Sequence, residues 1–429
     1  MNRFLLITAL GGVLVAAPAV PAQPVARAGD SLDLARALEI ARQHAPGLRA
    51  ADARREIATG RVRESTQWLN PNIEYRRENI GSPLAPDIFT TLYIPFDLTG
   101  RRLAQRQAGG AGRERAAADG AADRREAEVH VARVWIRAAQ AQALLSVSRA
   151  FADGLEEVAV VDSLRQREGV VPEGVALRTR LEADRARVTE AAAAGELARA
   201  RADLARTLGV ADSELPVIAA LRAPSLPDAP DSVSAGALAL RARPEVAARE
   251  AGVRETRARA SAESRGALGD WQLQGGSKKT GGFMTGQLGL AVPLPLFNRN
   301  DGARQRARGE LAEAQALRDD IVIGVRAEAV AAVTAYDAMR AHAVSAASFA
   351  TRGQQVADIA RVSYREGHAS LLELLDAERA AADARAAYVR WAADAWIARL
   401  ELERALGTRL DADGPLDLPL RAALPPTPR

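Results

Sequence analysis

Cysteine is absent from the 429 residues. That excludes disulfide staples, thiol chemistry and lipidation of an N-terminal cysteine. Lysine is nearly absent too: Lys278 and Lys279 are the only two, and arginine carries the rest of the basic charge. Aromatic residues make up 4%, too few for a thick globular core, and suit long helices packed closely through small side chains. Beyond the N-terminal run, no stretch approaches the ~20 uninterrupted apolar residues a membrane-spanning helix needs. Excess charge of one sign is also lacking. The 58 basic and 54 acidic residues leave a net +4, interleaved as on a salt-bridged helix surface, so no nucleic-acid partner is expected. His44, His130, His342 and His368 are scattered, with no His-x-x-x-His pair, and no phosphate loop, nucleophile elbow or kinase signature appears. We therefore expect no enzymatic activity, no cofactor and no resident metal.

What is present begins with a secretory leader: Arg3, an apolar run from Phe4 to Ala17 and a small-residue end at Val20-Pro21-Ala22. The expected domain 1–22 is this signal peptide, cleaved before Gln23. A helical period follows near Leu32 to Trp68, capped by Asp30 or Ser31 and interrupted at Pro46. Asn70-Pro71 ends it. Residues 72–96 then alternate in polarity as two strands, with a turn-rich loop at 79–87. A helical hairpin over 98–208 turns after Arg167-Glu168-Gly169 and is capped by Gly209. Residues 210–234 hold Pro216, Pro224, Pro227 and Pro230 and read as an irregular connector.

The order then repeats. A helix over 235–265, strands near 268–277 and 283–294 and a helix from about 298 to 366 precede a shorter helix over 370–406, capped by Gly407. Arg167-Glu168-Gly169 recurs as Arg365-Glu366-Gly367 and Leu208-Gly209 as Leu406-Gly407, each 198 residues on. The domains are thus a first repeat (23–209), the connector (210–234), a second repeat (235–410) and a loose tail (411–429). Gly275-Gly276 and Gly281-Gly282 are assigned to turn chemistry of the second hairpin.

The fold class expected is mainly α with a small β part. The stripe Leu311, Ala314, Leu317, Ile321, Val325, Ala329, Ala332 and Tyr336 steps by three and four, as a coiled-coil partner does. Four strands with one apolar face cannot close by themselves. Eight from a dimer or twelve from a trimer could form a transmembrane barrel.

Two motifs carry a family resemblance. Pro95-Phe96-Asp97-Leu98-Thr99-Gly100-Arg101-Arg102 and Pro293-Leu294-Pro295-Leu296-Phe297-Asn298-Arg299-Asn300 resemble the strand-to-helix joints of TolC-type outer-membrane efflux proteins. The run from Tyr364 to Glu378 resembles that family's helix-tip signature. Asn70-Pro71, the short first hairpin and Pro-Leu-Phe-Asn-Arg-Asn look most like its cobalt–zinc–cadmium branch. The resemblance implies a homotrimer in outer-membrane lipid, with a twelve-stranded barrel above a periplasmic tunnel of helices. It further implies an adaptor (a membrane fusion protein) and an RND-type inner-membrane pump as partners, with heavy-metal cations as first choice of cargo. Multidrug efflux and type I protein secretion are the alternatives, and a periplasmic coiled-coil scaffold is the alternative of a different class.

The same resemblance places the site residues. Pro95, Phe96, Gly100, Pro293, Pro295 and Phe297 mark the barrel-to-tunnel joints. Glu168, Gly169, Pro172, Gly174, Glu366, Gly367, Ser370 and Leu371 are the tip residues that meet the adaptor; the bland reading of the glycines is turn geometry. Glu373 and Asp376, three apart on one helical face, form the periplasmic gate with Tyr364. The competing reading makes them a solvated face partnered by Arg379. Ala369 stands where the family's best-known member has an arginine that helps hold the closed state, so a differently built lock is expected. The first tip turn reads as two or three residues longer than the second.

Overall fold

The computed structural model describes residues 31–410, apart from 82, 84, 85 and 267–269. The leader, the Asp30 cap, the start of the third strand near 268 and the tail at 411–429 lie outside the described residues. The first repeat comprises α1 (Leu34–His44), α2 (Pro46–Thr66), β1 (Asn72–Glu78), β2 (Asp87–Phe96), α3 (Arg101–Arg167) and α4 (Glu173–Leu208). The second comprises α5 (Ser232–Ala242), α6 (Pro244–Arg265), β3 (Trp271–Thr280), β4 (Phe283–Ala291), α7 (Asp301–Ala341), α8 (Ala343–Arg365) and α9 (Leu371–Leu406). The class is mainly helical with one small antiparallel sheet. Among the described residues, no helix is long and apolar enough to cross a membrane.

The duplication is visible in three dimensions at two glycines. Gly209 and Gly407 cap α4 and α9 in the left-handed region, at φ 75° and 82°. A Cβ on Gly209 would lie 2.6 Å from the carbonyl oxygen of His44, at the α1–α2 break, and one on Gly407 would lie 2.8 Å from Ala242 Cβ, at the α5–α6 break. Each repeat thus seats its returning helix on its own broken entry helix, and only glycine fits both the angle and the space. Pro46 breaks the first entry helix as expected. Pro244, at the first position of α6, breaks the second, where the sequence period predicts one helix over 235–265.

The two long hairpins differ. α3 runs unbroken for 67 residues despite four glycines in its first third. Its counterpart, expected to be continuous to 366, is divided at His342. Trp391 Nε1 on α9 donates to the Met339 carbonyl at 3.4 Å, and a side chain entering the helical ladder in this way is a recognised cause of such a break.

The strand order is β1-β2-β3-β4, all antiparallel, leaving β1 and β4 as edges. Gly281 and Gly282, both at positive φ, form the two-residue turn between β3 and β4. Gly275 and Gly276, however, lie within β3 and belong to no turn. A Cβ on Gly276 would stand 2.2 Å from the Thr90 carbonyl oxygen. The bare backbone also leaves room for Gln287 Nε2 to reach across β3 and donate to Thr91 Oγ1 at 2.7 Å.

The register sorts the side chains into two faces. One carries Ile73, Leu92, Ile94, Leu273, Leu288 and Leu290, all exposed, Leu288 to 83%. The other carries Glu74, Arg76, Tyr93, Gln274 and Gln287, linked by Tyr93 Oη donating to Glu74 at 2.6 Å and by Arg76 beside Glu74 and Glu78.

Three buried clusters hold the helices. Trp135, Ile136 and Leu208 centre one with α1; Tyr336, Val325 and Leu402 centre one with α5; Leu155, Ala183 and Leu375 form the third, near the tips. The connector is pinned to the bundle, since Gln142 Nε2 donates to Ile218 O, Trp396 Nε1 to Arg222 O and Tyr336 Oη to Pro227 O, at 2.7 Å each.

Candidate functional site

Two places gather the residues singled out in the sequence: the joints below the sheet and the helix tips. At the joints, Pro95 and Phe96 close β2, with Pro95 opposite Gln272. Gly100 caps α3 at φ 74°, and its carbonyl accepts from Arg265 Nη1 at 3.0 Å. On the other side Pro293, Pro295 and the fully exposed Phe297 lie in the segment between β4 and α7. Asn300, left-handed at φ 62°, donates through Nδ2 to the Glu263 carbonyl at 2.9 Å. The last turn of α6 therefore fastens both joints. Nothing in the sequence had marked Glu263 or Arg265.

At the tips the two turns have equal length, 168–172 and 366–370. The expected longer first turn is not there. Pro172 is the N-cap of α4 and Gly174 already lies in its first helical turn, so residues read as loop are helix. Glu168 and Glu366 end α3 and α8, and Gly169 and Gly367 follow at φ 74° and 79°. Ser370 caps α9, while Leu371 packs half-buried against the third cluster.

The polar centre of this end is Asp162, which is fully buried on α3. Thr179 Oγ1 of α4 lies 2.7 Å from its carboxylate, and Tyr364 Oη of α8 donates to it at 2.8 and 2.9 Å from the two oxygens. Burial, then the bond to Asp162, pushes the Tyr364 phenol up to about 12. Two further polar ties join α8 to α3: Arg165 Nη2 donates to the Arg365 carbonyl at 3.2 Å, and Arg365 pairs with Glu157 at 3.2 Å. The Arg165 guanidinium lies 5.6 Å from the Tyr364 ring centre. By contrast α8 buries only Ala357. Its hold on α3 is therefore a set of hydrogen bonds rather than an apolar seam, and such bonds are individually modest and reversible. The sequence reading missed Asp162; an acid on the apolar stripe of α3 was its only signal.

Glu373 and Asp376 behave differently. The Glu373 carboxylate accepts from the Ser370 backbone N–H at 2.7 Å in a capping box, and that bond holds it below the usual carboxylate range. Asp376 is exposed one turn on. Arg379, the partner expected in the competing reading, turns away to Glu182 on α4. The hydrogen bond from Arg379 first, then the charges of Arg379 and Arg185, keep Glu182 ionised against the cost of its burial. Among the described residues, no group of three or more His, Asp or Glu side chains is placed to hold a metal ion.

Residues 236–408 match the family model of the outer membrane efflux protein. That span is essentially the second repeat. The outer membrane efflux protein match thus covers one copy of a unit that the chain contains twice, as the paired glycine seats show. Nearly nine-tenths of the chain shares the fold of solved outer-membrane channels. It is 20% identical to the outer membrane protein VceC of Vibrio cholerae, with a TM-score of 0.72 over 88% of this chain and 97% of that one. Against the CmeC channel of Campylobacter jejuni the identity is 16% and the TM-score 0.74, over 87% and 85%. Against the open-state MtrE channel of Neisseria gonorrhoeae they are 20% and 0.72, over 89% and 90%. No curated protein matches by sequence.

Proposed function

We propose that this chain is one subunit of a homotrimeric outer-membrane channel, the passive exit duct of a tripartite efflux system. The observation that carries the reading is the sheet, whose apolar face is exposed and whose β1 and β4 edges are unpaired. An open apolar sheet of this kind is stable only when its edges pair and its outer face meets lipid. Pairing β1 of one copy with β4 of the next gives a heterologous contact that closes as a ring. Eight strands would fill their own interior with side chains, so a duct calls for the twelve of a trimer. The helices support the same operator. α4 leaves Leu177, Leu181 and Val188 exposed, and α8 leaves Val356, Ile359 and Val362, two unlike stripes at helical spacing that neighbouring subunits would cover.

The tips then face the periplasm and meet the adaptor through Glu168, Gly169, Pro172, Gly174, Glu366, Gly367, Ser370 and Leu371, while an RND-type pump in the inner membrane supplies the energy. The gate is the Tyr364–Asp162 latch, with Asp376 and the capping Glu373 as its acidic rim. Cargo is assigned first to heavy-metal cations, on the branch resemblance and the acidic rim. A periplasmic scaffold would leave the apolar sheet face uncovered. Fractionation tests the channel: the mature chain belongs in the outer membrane as a trimer, and recovery as a soluble periplasmic protein would overturn the proposal. For cargo, a deletion strain should become sensitive to zinc, cobalt or cadmium; sensitivity to drugs alone would move the assignment to multidrug efflux.

A further inference from the structure

The four cations of the sheet come as two adjacent pairs, Arg76-Arg77 and Lys278-Lys279, and strand alternation sends one of each pair to each face. On the polar face both are satisfied. Arg76 lies beside Glu74 and Glu78, Lys278 lies 3.6 Å from Asp87, and both stand over the Phe89 ring, at 4.8 and 5.0 Å. The sheet's three carboxylates, Glu74, Glu78 and Asp87, all lie on that face. Among the described strand residues, the apolar face carries no acid. Arg77 and Lys279 are exposed there, level with each other across Ile88, and their Cα atoms are two strand spacings, about 10 Å, apart.

The position of this row matters as much as its charge. It lies one residue from the end of β1 and of β3, beside the hairpin turns and away from the helices. At the helical end of the same face Trp271 stands edge-on to Phe96, with ring centres 6.2 Å apart. Eight residues separate Trp271 from Lys279, roughly 27 Å along a strand and about 21 Å vertically at a tilt of about 40°, close to the ~25 Å apolar band of such barrels. An aromatic rim at one border and an acid-free cationic rim at the other bracket the band. Tyr75, one row inward and exposed, adds a hydroxyl at headgroup depth.

We infer that Arg77 and Lys279 form a phosphate-binding row for the anionic lipid of the membrane's outer surface, two cations per subunit converging on a phosphorylated glycolipid headgroup. Two long cationic side chains on neighbouring strands, unneutralised by protein, are matched by phosphate in charge and reach. The inference rests on the barrel reading above.

The test uses the full-length channel extracted from the outer membrane in mild detergent and probed with bis-phosphorylated lipid A and its dephosphorylated form. Native mass spectrometry should find the phosphorylated lipid retained by the wild type and at least tenfold less by the Arg77→Gln/Lys279→Gln variant. Arg76→Gln, altered on the opposite face, should retain it as the wild type does, and the double variant should still fractionate as an outer-membrane trimer. Equal retention by the double variant, or equal binding of the dephosphorylated lipid by the wild type, would overturn the inference while leaving the channel reading intact. A wild-type chain recovered outside the outer membrane would overturn both.

Discussion

Tyr364 Oη donates to Asp162 at 2.8 Å, joining the end of α8, a helix with one buried residue, to a carboxylate fully enclosed on α3. Tyr364→Phe removes the donor and leaves that buried acceptor with Thr179 alone. Loss of that donor costs about 1–3 kcal/mol, which is about a five- to 150-fold shift of the proposed latch toward open. Single-channel recordings of the variant in a planar bilayer should show more frequent and larger openings than the wild type.

The same bond sets an alkaline limit. The Tyr364 phenol is raised to about 12, above the ordinary tyrosine value, so the neutral phenol is the form the latch favours. Its contribution is fully present below about pH 10 and is lost as pH rises toward 12. Wild-type conductance should therefore stay at its closed level through neutral pH and rise over that alkaline window. Tyr364→Phe should be already open and flat across it.

Gly276→Val should abolish assembly. A side chain there would meet the Thr90 carbonyl at 2.2 Å and the Thr91 Cα at 2.8 Å, both backbone atoms that cannot move without breaking the β2–β3 register. It would also displace Gln287 from Thr91. Loss of the heat-resistant oligomer on electrophoresis is the expected result. Gly275→Val, where nothing lies within 4 Å, is the control and should assemble.

Gly276 also marks the boundary of what the sequence makes legible. A two-glycine string is read as a turn because φ freedom is the commonest reason for glycine. The reason here is a close backbone approach from a strand about 180 residues earlier in the chain, which no local pattern encodes. The strands, the repeat and the caps at Gly209 and Gly407 were readable because period and capping are local. The break at His342 was not: the hydrogen bond beside it comes from Trp391 on another helix. Asp162 was missed for the same reason: it looks like a stray acid until Tyr364 and Thr179 close on it from α8 and α4.

Acid should loosen the ion chain that ties the repeats together. Glu328 bonds Arg243 and Arg404; Arg404 reaches Glu401, and Glu401 pairs with Arg133 on α3. Burial alone would raise both carboxylates, yet their flanking guanidiniums hold them below the usual range. A depressed folded-state value means stability present above the unfolded value and lost as pH falls through the folded one. The thermal midpoint should be level above about pH 5 and fall below about pH 4. Glu328→Gln should lower it at neutral pH and flatten that acid slope.

Glu373 and Asp376, the two acids of the proposed gate, should separate under mutation. Glu373 spends its carboxylate on the Ser370 N–H, so little of its charge is directed at a passing ion. Loss of that box weakens the start of α9. Asp376 is exposed on the same face and makes no such bond. Three copies of an exposed carboxylate around a narrow axis favour cations. Reversal potentials across a salt gradient should therefore shift toward neutrality in Asp376→Asn and much less in Glu373→Gln, whose main effect should be a lowered thermal midpoint. Equal shifts would mean that Glu373 leaves its cap in the open channel, and no shift in either would remove this face from the conduction path.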